Sequence, residues 1–114
     1  MRVLIVEDNQ DVAQMMALLI EHCGYQSKIA ASGPAALETA QTWNPDAVLL
    51  DIGLPDMDGY DVARNLRSSG LAEAKIIALS GFRPDEARCK ECGIDRHLMK
   101  PVTLQTLLEI LHCE

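Results

Sequence analysis

The stretch DAVLLDIGLPDMDGYDV, Asp46 to Val62, decides the fold. Its first six residues, DAVLLD (46–51), form the most apolar run of the chain and end in a lone aspartate. A short apolar run bounded by turn signals reads as a strand buried on both faces, which belongs at the centre of a sheet. Two more acids follow in the loop, so Asp51, Asp56 and Asp58 lie within eight residues. Position separates them. Asp51 ends the strand, Asp56 follows Pro55 in a solvated loop, and Asp58 stands where a helix N-cap belongs, with Gly59 easing the turn.

Working outward, the same alternation of apolar run and helical period fills the chain. RVLIV (2–6) is a second buried strand that stops at Glu7 and Asp8. Asn9 can cap the next helix, where Val12, Met15, Met16, Leu19 and Ile20 repeat at helical spacing until Gly24. YQSKIA (25–30) is partly polar and reads as a strand nearer an edge. Ser32-Gly33-Pro34 opens a second helix carrying Ala36, Leu37, Ala40 and Trp43, and Asn44-Pro45 ends it. A third helix is expected from about Gly59 to Ser69, with Val62 and Leu66 turned inward. KIIALS (75–80) is the fourth strand. Pro84 fits the first turn of the fourth helix and Gly93 its end. DRHLMK (95–100) is the fifth strand, and Leu104, Leu107, Leu108 and Leu111 mark a last helix.

Strand–helix alternation with short loops implies parallel strands joined by right-handed crossovers. The expected product is an α/β doubly wound three-layer sandwich, read as one domain over residues 1–114. Totals agree with that class: 48% of residues are apolar and 24% charged, ordinary for a globular chain. The net charge of −7 argues against DNA or RNA as a direct partner. No run approaches the length that spans a bilayer, and Glu7 and Asp8 come too soon for a signal peptide, so a cytosolic or cytosol-facing domain is expected. Of the four cysteines, Cys89 and Cys92 form a C-x-x-C inside a charged helical segment. The neighbouring pairs His22-Cys23 and His112-Cys113 could supply zinc ligands, but free thiols in a reducing compartment are the expected state.

In such folds ligands bind outside the carboxyl ends of the strands. The first strand delivers Glu7 and Asp8 there, the third Asp51, the fourth Ser80 and the fifth Lys100, while the second delivers only Ala30 and Ala31. Three carboxylates placed together repel one another, so a lysine ammonium and a hard dication are the natural counter-charges. A dication beside a carboxylate suits phosphoryl transfer, and an aspartate can itself be the nucleophile, giving an acyl phosphate.

At these residues the chain resembles a receiver domain of two-component response regulators. The matching stretches are VLIVEDN, DAVLLDIGLPDMDGYDV, IIALSG and GIDRHLMKPV, which with the alternation cover nearly the whole chain. The resemblance implies a flavodoxin-like five-stranded parallel sheet, order 2-1-3-4-5, with five helices. It implies that Asp51 accepts a phosphoryl group from a phosphohistidine of a histidine kinase or phosphotransfer protein. It implies that Glu7, Asp8, Asp51 and the Gly53 backbone carbonyl hold Mg²⁺ (or Mn²⁺), that Ser80 hydrogen-bonds the phosphoryl group and that Lys100 pairs with it. Lys100-Pro101 would be a cis peptide. His97 falls where the family usually has a switch Tyr or Phe, and signals would leave through the face of the fourth helix, fifth strand and fifth helix. LSGF and GIDRHLMKPVTLQTLLEIL resemble receivers attached to hybrid histidine kinases, so the chain is expected to be a stand-alone regulator or part of such a kinase, with no output domain of its own.

Two rivals follow from the same residues. Asp56-Met57-Asp58-Gly59 matches the D-x-D-G of aspartyl-phosphate phosphatases, but that motif needs its first aspartate at a strand end. A pseudo-receiver would keep the fold and dock proteins without phosphorylation, against which the full acidic set with Ser80 and Lys100 argues. A calcium loop at Asp56 and Asp58 lacks the alternating oxygen ligands and the distal glutamate. Phe82 either packs over the site or is an exposed loop aromatic. Gly53 offers no side chain to orient an attacking water.

Overall fold

The structure, a computed structural model, describes residues 1–54, 58–71, 73–81, 83, 85–100 and 102–110; for Leu104, Leu108 and Ile110 it describes the backbone alone. The elements alternate as β1 (Arg2–Val6), α1 (Gln10–His22), β2 (Gln26–Ala30), α2 (Gly33–Trp43), β3 (Ala47–Asp51), α3 (Gly59–Ser68), β4 (Lys75–Ser80), α4 (Glu86–Cys92), β5 (Arg96–Met99) and α5 (Leu104–Ile110). All strand pairs are parallel, in the order β2-β1-β3-β4-β5.

Side-chain polarity sets that order. Every residue of β3 is buried, as its AVLLD sequence requires at the centre of the sheet. β2 takes one edge, where Gln26, Lys28 and Ile29 are exposed. Alternation along the central strands feeds two cores. Leu4, Val48, Leu50, Ile76 and Ala78 meet α2, α3 and α4 on one face. Val3, Ile5, Leu49, Ile77 and Leu79 meet α1 and α5 on the other.

The helix starts follow the capping chemistry. Asn9 Oδ1 accepts from the Asp11 and Val12 amides at 3.0 and 3.3 Å, Ser32 Oγ from Ala35 at 3.2 Å, and Asp58 Oδ1 from Tyr60 at 2.9 Å. Asn44 closes α2 in the left-handed region, φ 52°. Two positions show what the sequence pattern leaves open. Met15 is exposed (55%), because Ala13, Met16 and Ile20 form the buried arc of α1. Gly59 serves close approach: a Cβ there would stand 2.5 Å from the Ile52 Cα, so only glycine lets α3 start against the residue after Asp51.

Arg67 ties the opposite end of the domain together. Its guanidinium donates to the carbonyls of Leu71 and Ala74 at 2.6 Å each and of Gly93 at 2.7 and 3.0 Å, and pairs with Asp95 at 2.8 Å. Asp95 Oδ2 also accepts from the Ile76 amide at 2.9 Å. Cys89 and Cys92 are free thiols, as expected. Cys23 is disulfide-bonded, which corrects the expectation of a free thiol there; connectivity is a tertiary property that spacing does not reveal. Cys113 and His112 lie outside the described residues.

Candidate functional site

Parallel strands that end in step deliver their last residues to one rim. Glu7 leaves β1 with its amide on the Ala30 carbonyl at 3.1 Å, which continues the sheet and buries its side chain to 3% exposure. Asp51 and Ser80, the last residues of β3 and β4, are each 5% exposed. Lys100 follows β5, its amide on the Ser80 carbonyl at 2.7 Å. Asp8 remains exposed. Residues up to 93 positions apart thus meet, as the strand-end argument requires.

Lys100 holds the carboxylates. Its Nζ lies 3.2 Å from Glu7 Oε1 and 3.3 Å from Asp51 Oδ2. The other oxygens take backbone donors: Asp51 Oδ1 accepts from the Gly53 amide at 2.9 Å, and Glu7 Oε2 from the Asn9 amide at 3.3 Å. Burial, and then the hydrogen bond and charge of Asp51, raise the Glu7 pKa above the usual carboxylate range; the Asn9 amide and Lys100 oppose them without prevailing. Burial alone would lower the Lys100 pKa, but the Asp51 charge and the contacts with Glu7 raise it. This ammonium stays charged.

One lysine does not balance three carboxylates. Single ligand atoms of Glu7, Asp8 and Asp51 lie within 4.8 Å of one another, the one such group among the described residues. All the donors are oxygens, the chemistry of a hard dication. The upward pull on Glu7 shows that burial beside Asp51 disfavours its charge, a penalty that a dication would offset.

The family model of the response regulator receiver domain matches residues 3–112. The chain belongs to that family. It is a receiver domain of two-component systems, and its 2-1-3-4-5 sheet is the expected architecture. It is 34% identical over 112 residues to the sensor histidine kinase RcsC of Escherichia coli (strain K12), covering 97% of this chain and 12% of that protein. It is 33% identical over 112 residues to the polar-differentiation response regulator DivK of Brucella abortus (strain S19), covering 96% and 91%. Chemotaxis protein CheY4 of Vibrio cholerae superimposes with a TM-score of 0.91 at 30% identity, covering 97% of this chain and 95% of that one. The receiver domain of the sensor histidine kinase PA1611 of Pseudomonas aeruginosa PAO1 gives 0.86 at 31%, covering 97% and 93%, and that structure has a magnesium ion coordinated in its active site cleft.

The remaining residues singled out from sequence fall in several places. His97 lies on β5 with its Nε2 buried and without a hydrogen-bond partner. Asp58 is occupied in capping α3 and pairing with Arg88 at 3.0 Å, which is structural work. Gly53 is fastened to Asp51 through its amide. Asp56, Phe82 and Pro101, and with it the expected cis peptide, lie outside the described residues. Sequence reading assigned Asn9 only to the cap, yet its amide also holds Glu7; a residue two positions after a rim carboxylate was the available signal. Among the described residues, no helix is long and apolar enough to cross a membrane.

Proposed function

We propose that Asp51 is the phosphoacceptor of this receiver domain. The observation that carries the proposal is its carboxylate, buried at the rim, 3.3 Å from the Lys100 ammonium and grouped with Glu7 and Asp8. The donor is a phosphohistidine of a histidine kinase or phosphotransfer protein. As a carboxylate oxygen of Asp51 bonds to phosphorus, the phosphorus–nitrogen bond to histidine breaks and the imidazole leaves.

Glu7, Asp8, Asp51 and the Gly53 carbonyl would hold Mg²⁺, or Mn²⁺. When bound, the dication screens the carboxylates from one another and offsets charge on the phosphoryl oxygens. The protein's own residues do the rest. Lys100 exchanges its contact with Glu7 for one with the phosphoryl group, a charge-assisted bond. The Ser80 hydroxyl turns toward the new oxygens. His97, on the neighbouring strand, answers that movement and alters the face of α4, β5 and α5 that the downstream protein reads. The chain thus catalyses its own phosphorylation and, through water, its dephosphorylation. Residues 1–114 act as one receiver module, either alone or, as the likeness to RcsC supports, attached to a hybrid kinase.

The donor must bring its histidine to Asp51, and the surface beside Lys100 suits a protein. There α1 and α5 leave an apolar groove of about 390 Å³ lined by Val12, Met15, Met16, Leu19, Val102 and Leu107, with Lys100 at its edge. We assign the donor protein to this groove, because it is continuous with the acceptor site.

Incubation with acetyl phosphate and Mg²⁺, followed by intact mass measurement, tests the reading. The expected result is the gain of one phosphoryl group, lost in Asp51→Asn and in the presence of a chelator. No gain in the wild-type chain would leave a docking module without phosphorylation; a gain that persists in Asp51→Asn would assign another acceptor.

A further inference from the structure

His97 is an ionisable side chain whose protonation the mechanism above does not use. Leu98 packs into the core of α1 and α5, so His97 points to the opposite face of β5. Its register partner on β4 is Ala78, with Ser80 next on that face of the sheet. The side chain is half-buried, its Nε2 is fully buried, and no hydrogen bond reaches that nitrogen.

A neutral imidazole tolerates such a place because only one of its two nitrogens carries hydrogen. An imidazolium does not: both nitrogens are then donors, one would be buried without an acceptor, and the ring would carry a charge away from water. We propose that His97 makes the β4–β5 face proton-sensitive, the neutral ring keeping its inward place and the protonated ring leaving it for solvent. The further step, that acidification thereby opposes the phosphorylated arrangement, rests on the Ser80–His97 coupling of the proposed function.

Among the described residues no charge cancels the effect, and Arg83 and Asp85 of the β4–α4 connection are exposed. β4 presents Ile76, Ala78 and Ser80 on that face, none of them charged. α4 turns the thiols of Cys89 and Cys92 toward the core and keeps Glu86, Lys90 and Glu91 exposed. Arg88 is engaged with Asp58 and stacks over the Tyr60 ring at 4.2 Å. On β5 itself Arg96 is exposed, and the Lys100 ammonium beyond it is turned to Glu7 and Asp51. Burial therefore acts on the imidazole alone, and it pushes its pKa below the ordinary histidine value.

The test is an NMR titration of the imidazole nitrogens of the full chain from pH 5 to 8. Without metal, His97 is expected to titrate below a histidine in an unstructured peptide, and the amides of Arg96–Met99, Ala78 and Ser80 to shift with the same midpoint. A midpoint at or above the peptide value, or strand amides that ignore it, overturns the device. Repeating the titration with Mg²⁺ and beryllofluoride should lower the midpoint further, and the acid sensitivity of the beryllofluoride-bound spectrum should vanish in His97→Phe. Equal acid sensitivity in His97→Phe overturns the coupling. A chain that binds no beryllofluoride yet titrates as expected overturns the phosphoacceptor reading and leaves the proton-sensitive face standing.

Discussion

Replacing Lys100 by methionine isolates the electrostatics of the rim, because the stem is kept and the charge is lost. Its contacts at 3.2 and 3.3 Å are each worth about 5 kcal/mol by Coulomb's law at an effective dielectric of about 20. That is not the net loss. The lysine side chain is 35% exposed, so solvent screens it, and desolvation of all three groups offsets much of the attraction. Breaking a buried pair from one side typically costs ~3–5 kcal/mol because the other charge is left uncompensated. Glu7 relieves part of this by taking up a proton, as burial and Asp51 already favour. We expect Lys100→Met to lose about 2–3 kcal/mol in chelator at neutral pH.

The conditions sharpen the expectation. A proton bound more tightly in the folded state than in the unfolded chain adds stability as pH falls. In wild type the raised Glu7 pKa already gives that sign; in the variant, with no ammonium to oppose it, the effect is larger. The deficit therefore shrinks on acidification toward the carboxylate range, is largest from neutral to mildly alkaline pH, and shrinks again where the Lys100 ammonium itself is lost. Mg²⁺ at about 100 times its dissociation constant adds about 2.7 kcal/mol to any chain that binds it only when folded. At one fixed Mg²⁺ concentration the variant gains more, since no ammonium competes for the carboxylates and its dissociation constant is lower. Urea unfolding followed by the fluorescence of Trp43, the single tryptophan, measures all four conditions. A deficit within about 0.5 kcal/mol, the range of an ordinary surface substitution, would refute the reasoning. So would a larger one that neither pH nor Mg²⁺ changes.

Three further outcomes are expected. Gly53→Asn should fold normally, because among the described residues a Cβ there meets only Asp51 Oδ1 at 3.6 Å, and should shorten the life of the acyl phosphate several-fold by giving water a side-chain partner; a decay of the wild-type chain faster than that of the variant, read by radiolabel loss, would contradict this. Met15→Asp, at a side chain 55% exposed on the groove, should slow phosphorylation by a protein donor at least tenfold while leaving that by acetyl phosphate unchanged, and equal rates with both donors would move the docking surface elsewhere. Arg67→Ala should cost about 3 kcal/mol in urea unfolding, since it removes donors from three part-buried carbonyls and the partner of Asp95, and phosphorylation of the folded fraction should be unaffected.

What the sequence reveals of this molecule depends on the range of the physics involved. The central place of β3 and the edge place of β2 are legible because burial on two faces or on one is written directly in AVLLD and QSKIA. The caps at Asn9, Ser32 and Asp58 are legible because they act within three residues. The convergence of Glu7, Asp51, Ser80 and Lys100 is legible at one remove, through the rule that parallel strands end on one rim. The exposure of Met15 is not legible, because a helical stripe shows its period and not which edge of the stripe the sheet covers. The bridging of Glu7 and Asp51 by Lys100 is invisible, since a long flexible side chain chooses among partners only in three dimensions. The disulfide of Cys23 and the close approach of Gly59 to Ile52 are hidden for the same reason.

The bridging lysine bears on how a chemical event at Asp51 reaches the β4–β5 edge. Ser80 ends β4 and Lys100 directly follows β5, and the two are already joined there, the Lys100 amide donating to the Ser80 carbonyl at 2.7 Å. On the proposed reading, both side chains turn to the same phosphoryl group, Ser80 from β4 and Lys100 from β5. Lys100 must give up Glu7 to do so, and the loss falls on a carboxylate whose charge burial already disfavours. The pull therefore reaches His97 by two routes, across the sheet from Ser80 and along β5 from Lys100, three residues away. A side chain placed between two moving neighbours, with a buried nitrogen that bonds to nothing, can move without breaking a hydrogen bond at that nitrogen. That is the physical property a switch residue needs, and histidine meets it by lacking a partner where tyrosine or phenylalanine would meet it by bulk.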